Sequence, residues 1–287
     1  MAFTRPLIAG LLLATTLAPA RADENLFGYV YGAETLPQGA SEAYLWLTHR
    51  ADKGQGRYAA DDLKLEFEHG LTDRAQGSVY LNFARHDIAG SAPIEDGQPE
   101  YPDRNSTRFS GVQASFKYNI LSPYKDPIGL AIYIEPGYSR VHKVSGRPQN
   151  EKSLEFKLIA QKNFLDDQLV WAFNLTPELE WRRFTDTYEK ERELELEATT
   201  GLSYRFAPKW FAGVEARYHS EYPDFARREH WAVFAGPTLH YGDKRWWATV
   251  TWLPQIKGWP TDPARSDRLH LDEHEKNEIR LKVGYNF

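Results

Sequence analysis

The chain has no cysteine among its 287 residues and only one methionine. The first absence excludes disulfides, thiolate metal ligands, a cysteine nucleophile and a lipidated cysteine anchor. A surplus of one charge is missing too: 35 Lys and Arg stand against 40 Asp and Glu, a formal net charge of -5. No bulk basic field exists to draw nucleic acid, so no nucleic-acid partner is expected. Long apolar runs are confined to the amino terminus. Past it, nothing approaches the ~20 apolar residues of a membrane-crossing helix. The mean hydropathy of -0.60 is that of a water-soluble chain. It does not exclude a membrane barrel, whose strands are apolar on one face only and give a weak hydropathy signal.

The amino terminus, "MAFTRPLIAGLLLATTLAPARA", carries Arg5, an apolar run from Leu7 to Leu17, and Ala20 and Ala22 in an A-x-A arrangement. This is the pattern of a secretory signal peptide cleaved after Ala22, and its apolar run is too short to span a bilayer. The expected organisation is a signal peptide over 1–22, a periplasmic segment over 23–39 and a single barrel over 40–287.

Strict alternation recurs along the rest. In "LVWAFNLTPELEW", Leu169, Trp171, Phe173, Leu175, Leu179 and Trp181 share one face, while Ala172, Asn174, Thr176, Glu178 and Glu180 share the other. A helix would scatter these residues around its circumference, so a period of two means strand. "ERELELEATTGLSYRF" is rich in the helix formers Glu and Leu, yet it alternates as strictly, and period outweighs propensity. Counting every such run gives about twelve strands, each near the ~9–11 residues of a tilted membrane strand. Short turns at "GLTDR", "LSPYKDP", "NFLDDQ", "APK" and "GDKR" alternate with longer polar stretches, the layout of an outer-membrane barrel. The fold expected is all-β: an antiparallel transmembrane β-barrel in the outer membrane of a Gram-negative bacterium, with both termini on the periplasmic side. Outer-membrane lipids are its expected surroundings.

The chain ends on "NEIRLKVGYNF". This strand keeps Leu281, Val283, Tyr285 and Phe287 on one face, and it resembles the signal by which barrel-assembly machinery recognises its substrates. Tyr285 and Phe287 carry that likeness. The mature start "ENLFGYVYGAETLPQGASEAYLWLTHR", its E-x-L-P-x-G pattern, "DKGQG" and the turn from His69 to Arg74 resemble a family of uncharacterised proteobacterial outer-membrane barrels. The resemblance implies the barrel class and brings no catalytic residue or substrate.

Charged residues fall on the parity opposite to the apolar face. A basic residue at the lipid midplane costs about 2–4 kcal/mol, so the charged face must look into the lumen. Acids are in excess there, concentrated where Glu178 and Glu180 neighbour Glu193, Glu195 and Glu197. Together with Arg205, Glu215 and Arg217 these are the candidate residues of an electrostatic filter. Three readings stay open: ion pairs through Arg182, Arg205 and Arg217 that close the lumen, a cation-preferring passage for a small polar or cationic solute, or a divalent-cation site. A non-conducting barrel that binds through its loops and a rim-sited lipid- or glycan-modifying enzyme are the alternatives to a channel. The enzyme reading draws on His49, His86, His219, Ser220, Glu221 and His230 near the loop side. "HLDEHEKNE" groups His270, Asp272, Glu273 and His274 but lacks the H-E-x-x-H spacing, and a solvated loop is expected. The chain has no G-x-S-x-G elbow and no phosphate-loop lysine pattern, so no cofactor, catalytic residue or metal ligand is assigned. The Trp and Tyr residues, Tyr44 and Trp46 among them, are expected in interfacial girdles.

Overall fold

A computed structural model describes residues 25–91, 101–263 and 266–287. The expected signal peptide lies outside the described residues. Twelve strands close into one antiparallel barrel: β1 (Ser41–Ala51), β2 (Arg57–Thr72), β3 (Ala75–Ala89), β4 (Arg104–Leu121), β5 (Gly129–Val141), β6 (Pro148–Phe164), β7 (Leu169–Phe184), β8 (Lys190–Ala207), β9 (Trp210–Pro223), β10 (His230–Gly242), β11 (Trp246–Trp259) and β12 (Asn277–Asn286). Each strand pairs with its neighbour in sequence, and β12 closes on β1 with Leu45 opposite Val283 and Leu47 opposite Leu281. Closure removes the free edge that a membrane cannot tolerate. The alternation of the last strand is thereby explained, since it is half of the seam.

The outer surface is the apolar parity. Leu65, Phe67, Val79, Leu81, Ile132, Leu158, Leu202 and Val214 all stand exposed on the outside of the wall. In a water-soluble protein such a belt would demand a partner, whereas here lipid is the partner. The Glu- and Leu-rich β8 is a strand along its whole length, because its Leu face meets lipid and its Glu face meets the lumen.

Several strands are longer than a bilayer requires, reaching 18 residues in β4 and β8. Pairing therefore continues above the membrane, and the polar run from Arg85 to Ala89 belongs to β3. As a result only two of the outer connections are long, 90–103 and 260–276. The outer connections 52–56, 142–147, 185–189 and 224–229 are short, where the sequence pattern suggested long loops throughout.

The largest difference from expectation lies before β1. Residues 25–36, expected on the periplasmic side, run inside the barrel. Leu26, Phe27, Tyr29, Val30 and Ala33 are all buried there. A segment inside a closed barrel cannot join the sheet, so its backbone groups need partners from wall side chains. The wall supplies them, and at the mouth Gly39 and Ala40 bond backbone to backbone with Gly70.

Candidate functional site

The inserted segment is held by side chains that the alternation of the strands aims inward. One carboxylate, Glu215 of β9, accepts from the amides of Gly28 (2.8 Å), Tyr29 (2.8 Å) and Val30 (3.3 Å), and from the Thr251 hydroxyl (2.6 Å). Asn174 of β7 makes a two-way clamp on Tyr31, accepting from its amide at 2.7 Å and donating to its carbonyl at 3.0 Å. The amide of Ala33 donates to Gln161 (2.7 Å), its carbonyl accepts from Asn119 (2.6 Å), and the amide of Leu36 donates to Gln76 (2.6 Å). From β12, Arg280 donates to the Gly28 carbonyl at 3.2 Å and lies 3.8 Å from the centre of the Tyr29 ring. The Tyr29 hydroxyl in turn donates to Glu278 at 2.8 Å. Charge-assisted bonds of this kind are among the stronger ones a protein makes.

Beyond this plug lies a cavity of about 790 Å³. Its lining runs from Tyr29 and Tyr31 of the plug to Arg192, Asp224 and Glu229 at the exposed outer rim. Among the described residues, sixteen Asp and Glu against ten Lys and Arg line it. The register orders these acids. Glu135 of β5 stands directly opposite Glu155 of β6, Glu155 opposite Glu178 of β7, Glu178 opposite Glu195 of β8, and Glu195 opposite Glu221 of β9. Five glutamates on five successive strands thus form an unbroken ladder, although like charges directly opposite one another destabilise a strand pair.

Compensation along the ladder is partial. Glu155 meets Lys157 at 3.2 Å, Glu195 meets His219 at 2.9 Å, and Glu135 accepts from the Tyr133 hydroxyl. Glu178 has no ion-pair partner among the described residues. Above the ladder, Arg182 of β7 serves a second group of acids: Glu151 (3.1 Å), Glu193 (3.1 Å), Glu191 (3.3 Å) and Glu180. Arg217 of β9 bridges Glu278 and, at 3.8 Å, Glu197.

Of the filter candidates read from the sequence, Glu178, Glu180, Glu193, Glu195, Glu197 and Arg217 come together on the cavity wall. Glu215 lies below them as the anchor of the plug. Arg205 sits at the other end of β8, where it donates to the backbone carbonyl of Asp166 at 3.5 Å. Tyr285 and Phe287 stand exposed at the end of the closing strand with ring centres 5.3 Å apart. Tyr44 and Trp46 are not girdle residues: both are buried in the lumen, where Tyr44 donates to Glu42 and Glu68 and Trp46 donates to Glu66. Their parity within β1 matches that of the charged residues, and this is the signal that could have found them.

The loop 260–276 departs furthest from a solvated loop. Its described stretch from 269 to 275 turns inward, so that His270, His274 and Glu275 are buried. Lys53 of the 52–56 connection donates to the carbonyl of Asp272 at 2.7 Å, and Arg50 pairs with Glu275. Next to Arg50, Glu275 is held down at about 2 against its burial, and burial lowers His270 to about 4 and His274 well below the ordinary histidine value. Both imidazoles are therefore neutral at physiological pH. Of the histidines named for the rim, His219 and His230 join them with Glu221, whereas His49 pairs with Asp61 in an exposed position and His86 bonds the Lys143 carbonyl. Ser220 donates to the Leu196 carbonyl at 3.3 Å and meets no histidine as a nucleophile would need.

The fold resembles that of other outer-membrane barrels. The COG4313 outer membrane channel from Pseudomonas putida F1 aligns over 89% of this chain and 98% of its own, with 14% identity and a TM-score of 0.61. The KdgM porin aligns over 85% of this chain and 99% of its own, with 13% identity and a TM-score of 0.49. At 14% identity the likeness to the COG4313 channel shows a shared fold alone. No curated protein matches the sequence. The family model of DUF6662, a family of unknown function, matches residues 19–287, and the chain belongs to that family.

Proposed function

We propose that this barrel admits a small cationic solute from the outer surface into the acidic cavity, and that the amino-terminal segment guards its passage to the periplasm. The observation that carries the reading is the ladder from Glu135 to Glu221, five directly paired carboxylates inside an outward-reaching cavity. Rings of acidic side chains select cations in pores, and walls of low dielectric strengthen the field they make. Glu178 and Glu195, in the middle of the ladder, are the residues a passing cation would meet.

The test is the reversal potential of the purified, refolded protein in a planar bilayer with a KCl gradient. The small current that the native barrel passes is expected to be cation-biased, and the bias is expected to shrink in Glu178→Gln/Glu195→Gln. Anion bias in the native protein, or unchanged selectivity in variants shown to be folded by heat-modifiable gel migration, contradicts the reading. The occupied lumen favours one other reading, a barrel that binds solute in the cavity without passing it. That reading requires silence even when the segment has been displaced.

A further inference from the structure

Where the glutamate ladder reaches the rim it meets histidine. Glu221, the last carboxylate, is directly opposite His230, and His219 lies two residues before Glu221 on the same face of β9. His270 and His274 arrive from the inward-folded loop. The rings form a connected group, with centroid separations of 5.1 Å for His219–His274, 5.0 Å for His230–His274, 4.8 Å for His230–His270 and 5.7 Å for His270–His274.

These histidines are deeply buried, with relative exposures of 8%, 1%, 3% and 6% for His219, His230, His270 and His274. Nevertheless each keeps a ring nitrogen without a hydrogen-bond partner: Nδ1 of His219, both nitrogens of His230, and Nε2 of His270 and of His274. Buried polar atoms are normally satisfied, so four such side chains in one group require an explanation. The tautomers sharpen the point. His219 Nε2 faces the Glu195 carboxylate at 2.9 Å and so carries the proton, which leaves a bare lone pair on Nδ1. That lone pair stands 3.9 Å from Glu221 Oε1, acceptor against acceptor. His230 Nε2 lies 3.1 Å from the other oxygen of the same carboxylate without hydrogen-bond alignment. His270 Nδ1 donates to the Pro260 carbonyl at 2.8 Å, leaving its Nε2 bare. An imidazole that gives one N–H to a carboxylate or carbonyl and turns the other nitrogen inward is the usual posture of a metal ligand.

We propose that this group is a transition-metal site that takes Zn²⁺, with His219, His230, His274 and Glu221 as ligands and Glu195 and His270 as the residues that orient them. Of these ligands, His219 and Glu221 already offer ligand atoms within 4.8 Å of one another. A tetrahedral ion with bonds of about 2.0–2.1 Å holds imidazole rings with their centres roughly 5 Å apart, and His274 keeps that spacing from both His219 and His230. Imidazole-rich sets favour zinc over calcium or magnesium, which prefer oxygen alone. The site borders the cavity through His219, Glu221 and His274, so an ion reaches it from outside. The inference stands apart from the channel reading, because zinc can bind here whether or not anything passes through.

Isothermal titration of the refolded, signal-free protein in detergent with ZnCl₂ tests it, with heat-modifiable migration as the check on folding. One equivalent of Zn²⁺ is expected to bind, and His230→Ala/His274→Ala to weaken binding by at least about 100-fold, the upper end of what loss of an outer-shell partner alone costs. CaCl₂ is expected not to compete. Folded native protein that binds no Zn²⁺ overturns the proposal, as does binding that survives the double substitution undiminished or that Ca²⁺ displaces at equal concentration. Should the double variant fail to fold, His274→Gln in the loop serves with Co²⁺ as the probe. A visible spectrum of the bound Co²⁺ that changes with that substitution supports the assignment, and one that does not change overturns it.

Discussion

Arg182 stands at the centre of the acid-rich wall, within ion-pair distance of four glutamates from β6, β7 and β8. Its side chain is 9% exposed, so the pairing takes place largely away from water. Removing one partner of a buried pair leaves the others uncompensated and costs about 3–5 kcal/mol. Arg182→Met is therefore expected to destabilise the barrel by at least that amount. Glu178→Gln should act in the opposite direction, since it relieves two directly opposed like charges, each worth up to about 1 kcal/mol. Urea unfolding of the barrel in lipid vesicles measures both, and equal effects of the same sign would refute the claim that Arg182 compensates an acidic excess.

At the scale of elements, the inserted segment and the inward-folded loop decide what the cavity is. Strand identity was legible because period two survives any local composition, as the run from Glu191 to Phe206 demonstrates. The inward parity of the acids was legible for the same reason. Two features were not. The segment 25–36 has no periodic partner in its own sequence, and its hydrogen bonds come from Glu215, Asn174 and Gln161, each far away in the chain. The histidine group depends on register, which brings His219 and His230 beside a loop whose composition suggests solvent. The 142–147 connection shows how such elements respond to pH. Burial and the neighbouring Arg182 hold His142 well below the ordinary histidine value. An open loop therefore binds the proton first. The closed form keeps its full stability above about pH 6.5, the ordinary histidine value, and loses it as the pH falls below. Amide exchange of Ser145 and Arg147, corrected for intrinsic rates, is expected to speed up between pH 7.5 and pH 5.5. Exchange independent of pH would contradict this. Gly201 of β8 bears on the plug in the same way, because a Cβ there would lie 2.5 Å from the ring of Phe27. A leucine at 201 fits an empty lumen but not an occupied one, so Gly201→Leu is expected to displace the segment and leave the strand intact.

For the whole molecule, lipid and water divide the work between the two parities of every strand. The apolar parity fixes the barrel in the outer membrane, and the polar parity is free to carry charge because closure shields it from lipid. Inside, the two halves differ. The periplasmic half is filled by residues 25–36, and the outer half is an acidic cavity with Tyr29 and Tyr31 in its lining. Exposed charges more than about 8 Å apart are largely screened at physiological ionic strength, whereas carboxylates within a walled cavity are screened less and act together. The proposed function has a cation-attracting cavity closed from below by a displaceable segment. The most direct measurement is single-channel current of the native protein and of Gly201→Leu, side by side, under a KCl gradient. Little current is expected from the native barrel, and a larger, steady, cation-biased current from the variant. Equal currents from the two, or silence from both with folding verified, would contradict the proposed function.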